Sequence, residues 1–207
     1  KQIKIFFPKM NILETYSGTA ALITILGVLK EKNKNKNEVI IPSVACPAIL
    51  FVVNFLNLKP VFVDMDLKNF NMSFADTKKK ISRNTLAVIQ VHCYGIVSDI
   101  KNVKKFLKRK KIFLIEDACL VFGGQIGLSY LGSFGDASIL SFGYDKILSY
   151  KGGALLLKTN YLYKKCKNYI SKNKNLGIDN INKKIFLNKL GNLNKEISFR
   201  KKTAKYI

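Results

Sequence analysis

Six short apolar runs constrain this chain more than any other feature: EVIIPS (38–43), KPVFVD (59–64), LAVIQVH (86–92), IFLIED (112–117), ASILSFG (137–143) and GALLLK (153–158). They are rich in Val, Ile, Leu and Phe and lack an apolar/polar alternation, the mark of strands buried on both faces. Helical segments separate them, at Thr19 to Lys30, Pro47 to Leu56, Ser73 to Ile81, Ile100 to Lys110 and Tyr161 to Ile170. In the fourth, Ile100, Val103, Phe106 and Leu107 recur at helical spacing with lysines on the remaining positions; in the fifth, Leu162, Cys166, Tyr169 and Ile170 do so. Strand and helix in alternation predict an α/β three-layer sandwich around a mostly parallel sheet. Past residue 171 the pattern gives way to a polar stretch, read as a loop and then a helix.

Charge narrows the partners. The chain carries 36 Lys and Arg against 13 Asp and Glu, a formal net charge of +23, and only Arg83, Arg109 and Arg200 are arginines. Such a charge raises nucleic acid or an anionic membrane as a partner. Readers of phosphate and bases rely on arginine forks and aromatic platforms, however, whereas here the excess is Lys mixed with Asn and Ile, as in KEKNKNKNEVI. Most of it reads as composition bias on solvated faces, and neither nucleic acid nor membrane is expected as a partner. No run of 18 uninterrupted apolar residues is present. Cys46, Cys93, Cys119 and Cys166 are widely spaced among apolar residues with no CxxC pair, as in a cytoplasmic protein with small, reduced, buried cysteines and no metal.

In parallel sheets ligands sit beyond the carboxyl ends of the strands. Ser17, Gly18 and Thr19 open the first helix, where backbone N–H groups and hydroxyls suit a phosphate; Ser-Gly-Thr is also an ordinary N-cap. Asp117 closes a buried run, and a carboxylate there needs a partner, either a cationic ligand nitrogen or a capping or ion-pairing group of the chain itself. Ser141 and Lys146 follow the next strand. His92, the single histidine, ends a strand and reads as a hydrogen-bonding structural residue. Phosphate anchor, acid and lysine in this order match the needs of a pyridoxal phosphate enzyme.

The stretches SGTAAL, VIIPSVACPAILFVVNFLNLKPVFVDMD, AVIQVHCYG, IEDA, GSFGDASILSFGYDK and GGALLL cover most of residues 17 to 157. In them the chain resembles the DegT/StrS-type sugar aminotransferases. The resemblance implies the aspartate aminotransferase-like large domain of fold type I pyridoxal phosphate transferases. It implies that Lys146 attaches the cofactor, that Asp117 pairs with its pyridine nitrogen, and that Gly18, Thr19 and Ser141 hold its phosphate. The implied reaction moves an amino group, usually from glutamate, to a nucleotide-linked keto sugar in polysaccharide or glycan biosynthesis, in a homodimer whose active sites lie at the subunit interface. A related sugar dehydratase branch usually replaces the lysine, so Lys146 argues against it.

Two positions depart from the family pattern. Leu120 stands where a Gln is common, and Cys46 falls where many members stack an aromatic on the cofactor ring. Length departs as well. Residues 1–171 match the cofactor-binding large domain, 172–207 read as a linker and a helix leading toward a small domain, and the chain is expected to be a shortened form without that domain. Ile197, Phe199, Ala204 and Ile207 are then expected to be partly exposed. A non-catalytic remnant or a regulatory module binding cofactor or sugar is the alternative reading.

Overall fold

A computed structural model describes residues 2–178 and 183–204. A seven-stranded sheet forms its middle layer, built from β1 (Asn11–Thr15), β2 (Glu38–Pro42), β3 (Lys59–Val63), β6 (Thr85–Val91), β7 (Phe113–Asp117), β10 (Ala137–Ser141) and β11 (Gly153–Leu157). Two small hairpins pair β4 (Met65–Asp66) with β5 (Asn71–Met72) and β8 (Gln125–Ile126) with β9 (Ser129–Tyr130). The order across the main sheet is β1-β11-β10-β7-β6-β2-β3. The pairs β10·β7, β7·β6, β6·β2 and β2·β3 are parallel, and only β11 runs against its neighbours.

The six apolar runs all form strands, within a residue or two of the predicted ends. Every residue of β2, β6 and β11 is buried, which explains why these strands are apolar throughout. Strand β1 escapes the pattern. It carries Asn11 and Glu14, lies at the sheet edge, pairs only with β11, and leaves three of its five residues half-buried.

Helices cover both faces. The helices α1 (Gly18–Lys32), α2 (Pro47–Phe55) and α5 (Asn160–Lys172) share one core with Ile41, Ile89, Ile115 and Ile139 of the sheet. On the other face lie α3 (Phe74–Lys80), α4 (Ile100–Lys110), α6 (Lys183–Gly191) and α7 (Leu193–Thr203), where Ile100, Val103, Leu107, Phe186 and Leu193 pack on Val88, Leu114 and Leu140. The last two helices thus dock on the core through Phe186 and Leu193. Ile197 packs partly against that core, Phe199 and Ala204 are exposed, and Ile207 lies outside the described residues.

Local chemistry sets the helix starts. Ser17 caps α1 by accepting the Ala20 N–H at 3.1 Å, and Thr159 caps α5 through Leu162. Lys30 and Lys32 sit in the last turn of α1, where cations suit the dipole. The start of α1 lies so close to β11 that a Cβ on Gly153 would overlap the Ser17 carbonyl carbon and stand 2.6 Å from the Gly18 nitrogen. Gly153→Ala should therefore cost about 2 kcal/mol in urea unfolding; an unchanged midpoint would mean that strand and helix are not held at that distance.

Candidate active site

A cavity of about 340 Å³ opens at the carboxyl ends of the parallel strands, against the first turn of α1. Val91 ends β6, Asp117 ends β7, Ser141 ends β10, and Val44 to Cys46 follow β2. All six residues predicted for the site, Gly18, Thr19, Cys46, Asp117, Ser141 and Lys146, line it. Leu22, Ile49, Val91 and Ile139 give it apolar walls.

The first turn of α1 turns its positive dipole end to this space. A Cβ on Gly18 would stand 3.1 Å from the Ser141 Cβ and 3.2 Å from the Cys119 sulfur, so helix and strand end meet across the residue without a side chain. Lys146 follows β10 in a turn closed by its own N–H to the Gly143 carbonyl at 2.9 Å and by Ser149 N–H to its carbonyl at 2.9 Å. Its side chain is only 18% exposed, and Nζ meets Asp145 Oδ2 at 2.6 Å. Burial works to lower the pKa of the amine, but the Asp145 carboxylate outweighs it and holds the amine above its usual value.

Asp117 is buried, and its Oδ1 accepts the Cys119 N–H at 3.0 Å. Burial pushes its carboxyl above the usual range, against the pull of the Cys119 hydrogen bonds and the positive charge of Lys146. A carboxylate raised by desolvation and facing a cavity is suited to a cationic ligand atom.

Directly before it, Glu116 is fully buried and faces the opposite side of the sheet with Leu114. Its Oε1 accepts from Gly132 N–H at 2.6 Å and His92 Nε2 at 3.1 Å; its Oε2 accepts from Phe134 N–H at 2.7 Å, Gly135 N–H at 2.9 Å and Ser138 Oγ at 3.2 Å. The Ser98 N–H donates to His92 Nδ1 at 3.1 Å, which leaves the ring hydrogen on Nε2, directed at Glu116. Burial alone would raise the Glu116 carboxyl; His92 and the backbone N–H groups outweigh it and hold the group below its usual value.

Sequence reasoning gave Glu116 no role. The available signal was an acid on the core-facing side of a buried strand. Asp145 and Cys119 were also missed, although each lies within two residues of a predicted site residue. Tyr94, exposed at φ +53, and Leu120 complete the wall. Of the four free cysteines, Cys93 and Cys166 are buried and Cys119 is half-buried, but Cys46 is exposed, because it precedes α2 at the cavity rim. Among the described residues no group of three or more His, Cys, Asp or Glu could hold a metal ion, and no helix is long and apolar enough to cross a membrane.

The model of the DegT/DnrJ/EryC1/StrS aminotransferase family matches residues 1–207. GDP-perosamine synthase of Escherichia coli O157:H7 is 33% identical over 151 residues, covering 72% of this chain and 41% of that protein. The chain thus spans less than half the length of the curated relatives it matches. Among solved structures, Helicobacter pylori PseC, an aminotransferase involved in the biosynthesis of pseudaminic acid, superposes with a TM-score of 0.85 at 22% identity over 93% of this chain and 56% of its own. It is a likeness of fold. NtdA of Bacillus subtilis, solved with its cofactor PMP bound, matches at 29% identity and a TM-score of 0.72, over 86% of this chain and 41% of its own.

The Glu116 network generates a test of the frame around this cavity. Its carboxyl lies below the usual 4.5 in the folded protein, so the stability it contributes is present above that pH and is lost as pH falls through the lowered folded value. Glu116→Gln should cost about 3 kcal/mol at pH 7 and flatten the acid limb of the stability profile. A loss under about 1 kcal/mol with an unchanged acid limb would show that the network does not hold the site.

Proposed function

The chain belongs to the DegT/DnrJ/EryC1/StrS aminotransferase family, and on that premise we propose that residues 1–171 are the large domain of a pyridoxal phosphate-dependent sugar aminotransferase. Its reaction moves an amino group, from glutamate, to a nucleotide-linked keto sugar used in polysaccharide or glycan biosynthesis. One observation carries the reading: an amine, a buried carboxylate, a hydroxyl and a helix N-terminus line one cavity at the carboxyl edge of the sheet.

This donor set fits the cofactor. Asp117 stands where burial makes its charge costly, and a protonated pyridine nitrogen would relieve that cost. Thr19, Ser141 and the N–H end of α1 suit the phosphate, with Gly18 keeping helix and strand end close. Cys46 and Leu120 border the space where an aromatic ring and a glutamine would otherwise stand, so the cofactor would be bound there without ring stacking from Cys46 and without a side-chain donor from Leu120. When bound, pyridoxal phosphate supplies an aldehyde to receive the amino nitrogen and a ring that accepts the electron pair released at the donor's α-carbon.

The chain's own groups then divide the remaining work. Asp145 binds the Lys146 ammonium at 2.6 Å, so the amine has to leave that pair and lose a proton before it reacts. Lys146 Nζ would attach the cofactor and, once displaced by the amino donor, would carry the proton between the donor's α-carbon and the cofactor's C4′. Asp117 would hold the proton on the pyridine nitrogen throughout.

A cytoplasmic homodimer is part of the same proposal. Val44, Tyr94 and Leu120 on the cavity wall, with the neighbouring Ile96 and Val97, are exposed apolar groups that a second copy would cover, and the cysteines are free.

Two measurements on the cofactor-loaded protein test the reading. Glutamate should shift its visible absorbance band, and a band that stays unchanged would favour a non-catalytic module. Asp117→Asn should slow that half-reaction by at least about tenfold, the equivalent of one pKa unit, with cofactor retained; a rate within about threefold of the parent would remove Asp117 from its role.

A further inference from the structure

A second concave site lies at the other edge of the sheet. A groove of about 670 Å³ runs past the first residues of β6 and β7 and the last of β11, bounded by the end of α1, by α4 and by the first turn of α5. Six lysines line it: Lys32, Lys36, Lys104, Lys108, Lys111 and Lys158. Among the described residues Asp136 is the single carboxylate in the lining, and its Oδ2 already accepts the Leu114 N–H at 2.9 Å.

Two of these amines depart from an ordinary solvated lysine face. Lys158 Nζ donates to the Phe134 carbonyl at 2.7 Å, and Lys104 Nζ stands 5.9 Å from the centre of the Phe134 ring. Both side chains are half-buried. Burial, with Lys104 close beside it, pushes the Lys158 amine down to about 8, against the opposing pull of Asp136 and Glu116. Folding thus brings two cations together and takes water from them, and the carboxylates that pull against this, Asp136 and Glu116, are each already held by backbone N–H donors. A bound polyanion would reverse that penalty, and amines from α1, α4 and the end of β11 are spread around a space of small-molecule size.

We propose that this groove is an anion site for an oligophosphate, a ligand with at least two linked phosphoryl groups, held by Lys104 and Lys158 at its buried end and by the remaining lysines along its length. It is separate from the cavity that holds Lys146 and does not depend on the aminotransferase reading.

Calorimetric titration with pyrophosphate in about 0.15 M sodium chloride, where diffuse surface attraction is largely screened, tests the site. Pyrophosphate should bind at least tenfold more tightly than orthophosphate. Lys104→Gln and Lys158→Met should each weaken it at least tenfold, whereas Lys158→Arg, which keeps the charge, and Lys79→Gln, on α3 outside the groove, should stay within threefold. Melting curves that match the parent would show that the variants are folded; should Lys158→Met unfold, Lys104→Gln and Lys158→Arg still decide. Equal affinity in parent and Lys104→Gln, or an equal loss in Lys79→Gln, would overturn the proposal and leave only a diffuse basic surface.

Discussion

A carboxylate with five hydrogen-bond donors and no access to water holds the site end of this sheet together. Glu116 binds His92 at the end of β6, the backbone of Gly132, Phe134 and Gly135 in the segment leading into β10, and Ser138 within β10. One buried charge therefore joins the carboxyl ends of β6 and β7 to the start of β10. Desolvating such a charge is costly unless donors surround it, and here they do. The register of β7 against β6 and β10 follows, with Val91 beside Asp117 and Ile139 beside Asp117 on its other side.

Alternation along β7 then divides two acids between two tasks. Glu116 faces the core of α4, α6 and α7, where donors satisfy its charge; Asp117 faces the cavity, where Cys119 gives it a backbone N–H and burial leaves its carboxyl pKa raised. The same strand thus contains a satisfied structural carboxylate and a poised one. Across the cavity, Gly153 lets α1 approach β11 more closely than a side chain would permit, and at Gly18 an added Cβ would be tight against Ser141 and Cys119. Lys146, in the turn after β10, is held at the same edge by its turn hydrogen bonds and by Asp145.

Much of this was legible in the chain because burial on both faces leaves a continuous apolar run, and because chemistry at strand ends is marked by polar residues directly after such runs. Asp117, Ser141 and Lys146 stood out for that reason. Strand β1 did not, since Asn11 and Glu14 interrupt its apolar character and the sheet covers it from one side only. Glu116 did not stand out, because its partners lie 16 to 24 residues away in the chain, a distance that no local pattern encodes. The lysines show the same limit: in a chain where all but three of the 36 basic residues are lysines, only folding shows that Lys104 and Lys158 are half-buried side by side.

The central claim is that Lys146, among so many lysines, is the one placed to react. Borohydride reduction of the protein loaded with pyridoxal phosphate, followed by proteolysis and mass mapping, tests it most directly. The account predicts a cofactor label on Lys146 and none in a folded Lys146→Ala variant. Stoichiometric label on another lysine, with the low-pKa amine of Lys158 as the strongest competitor, or no label on Lys146, would contradict it.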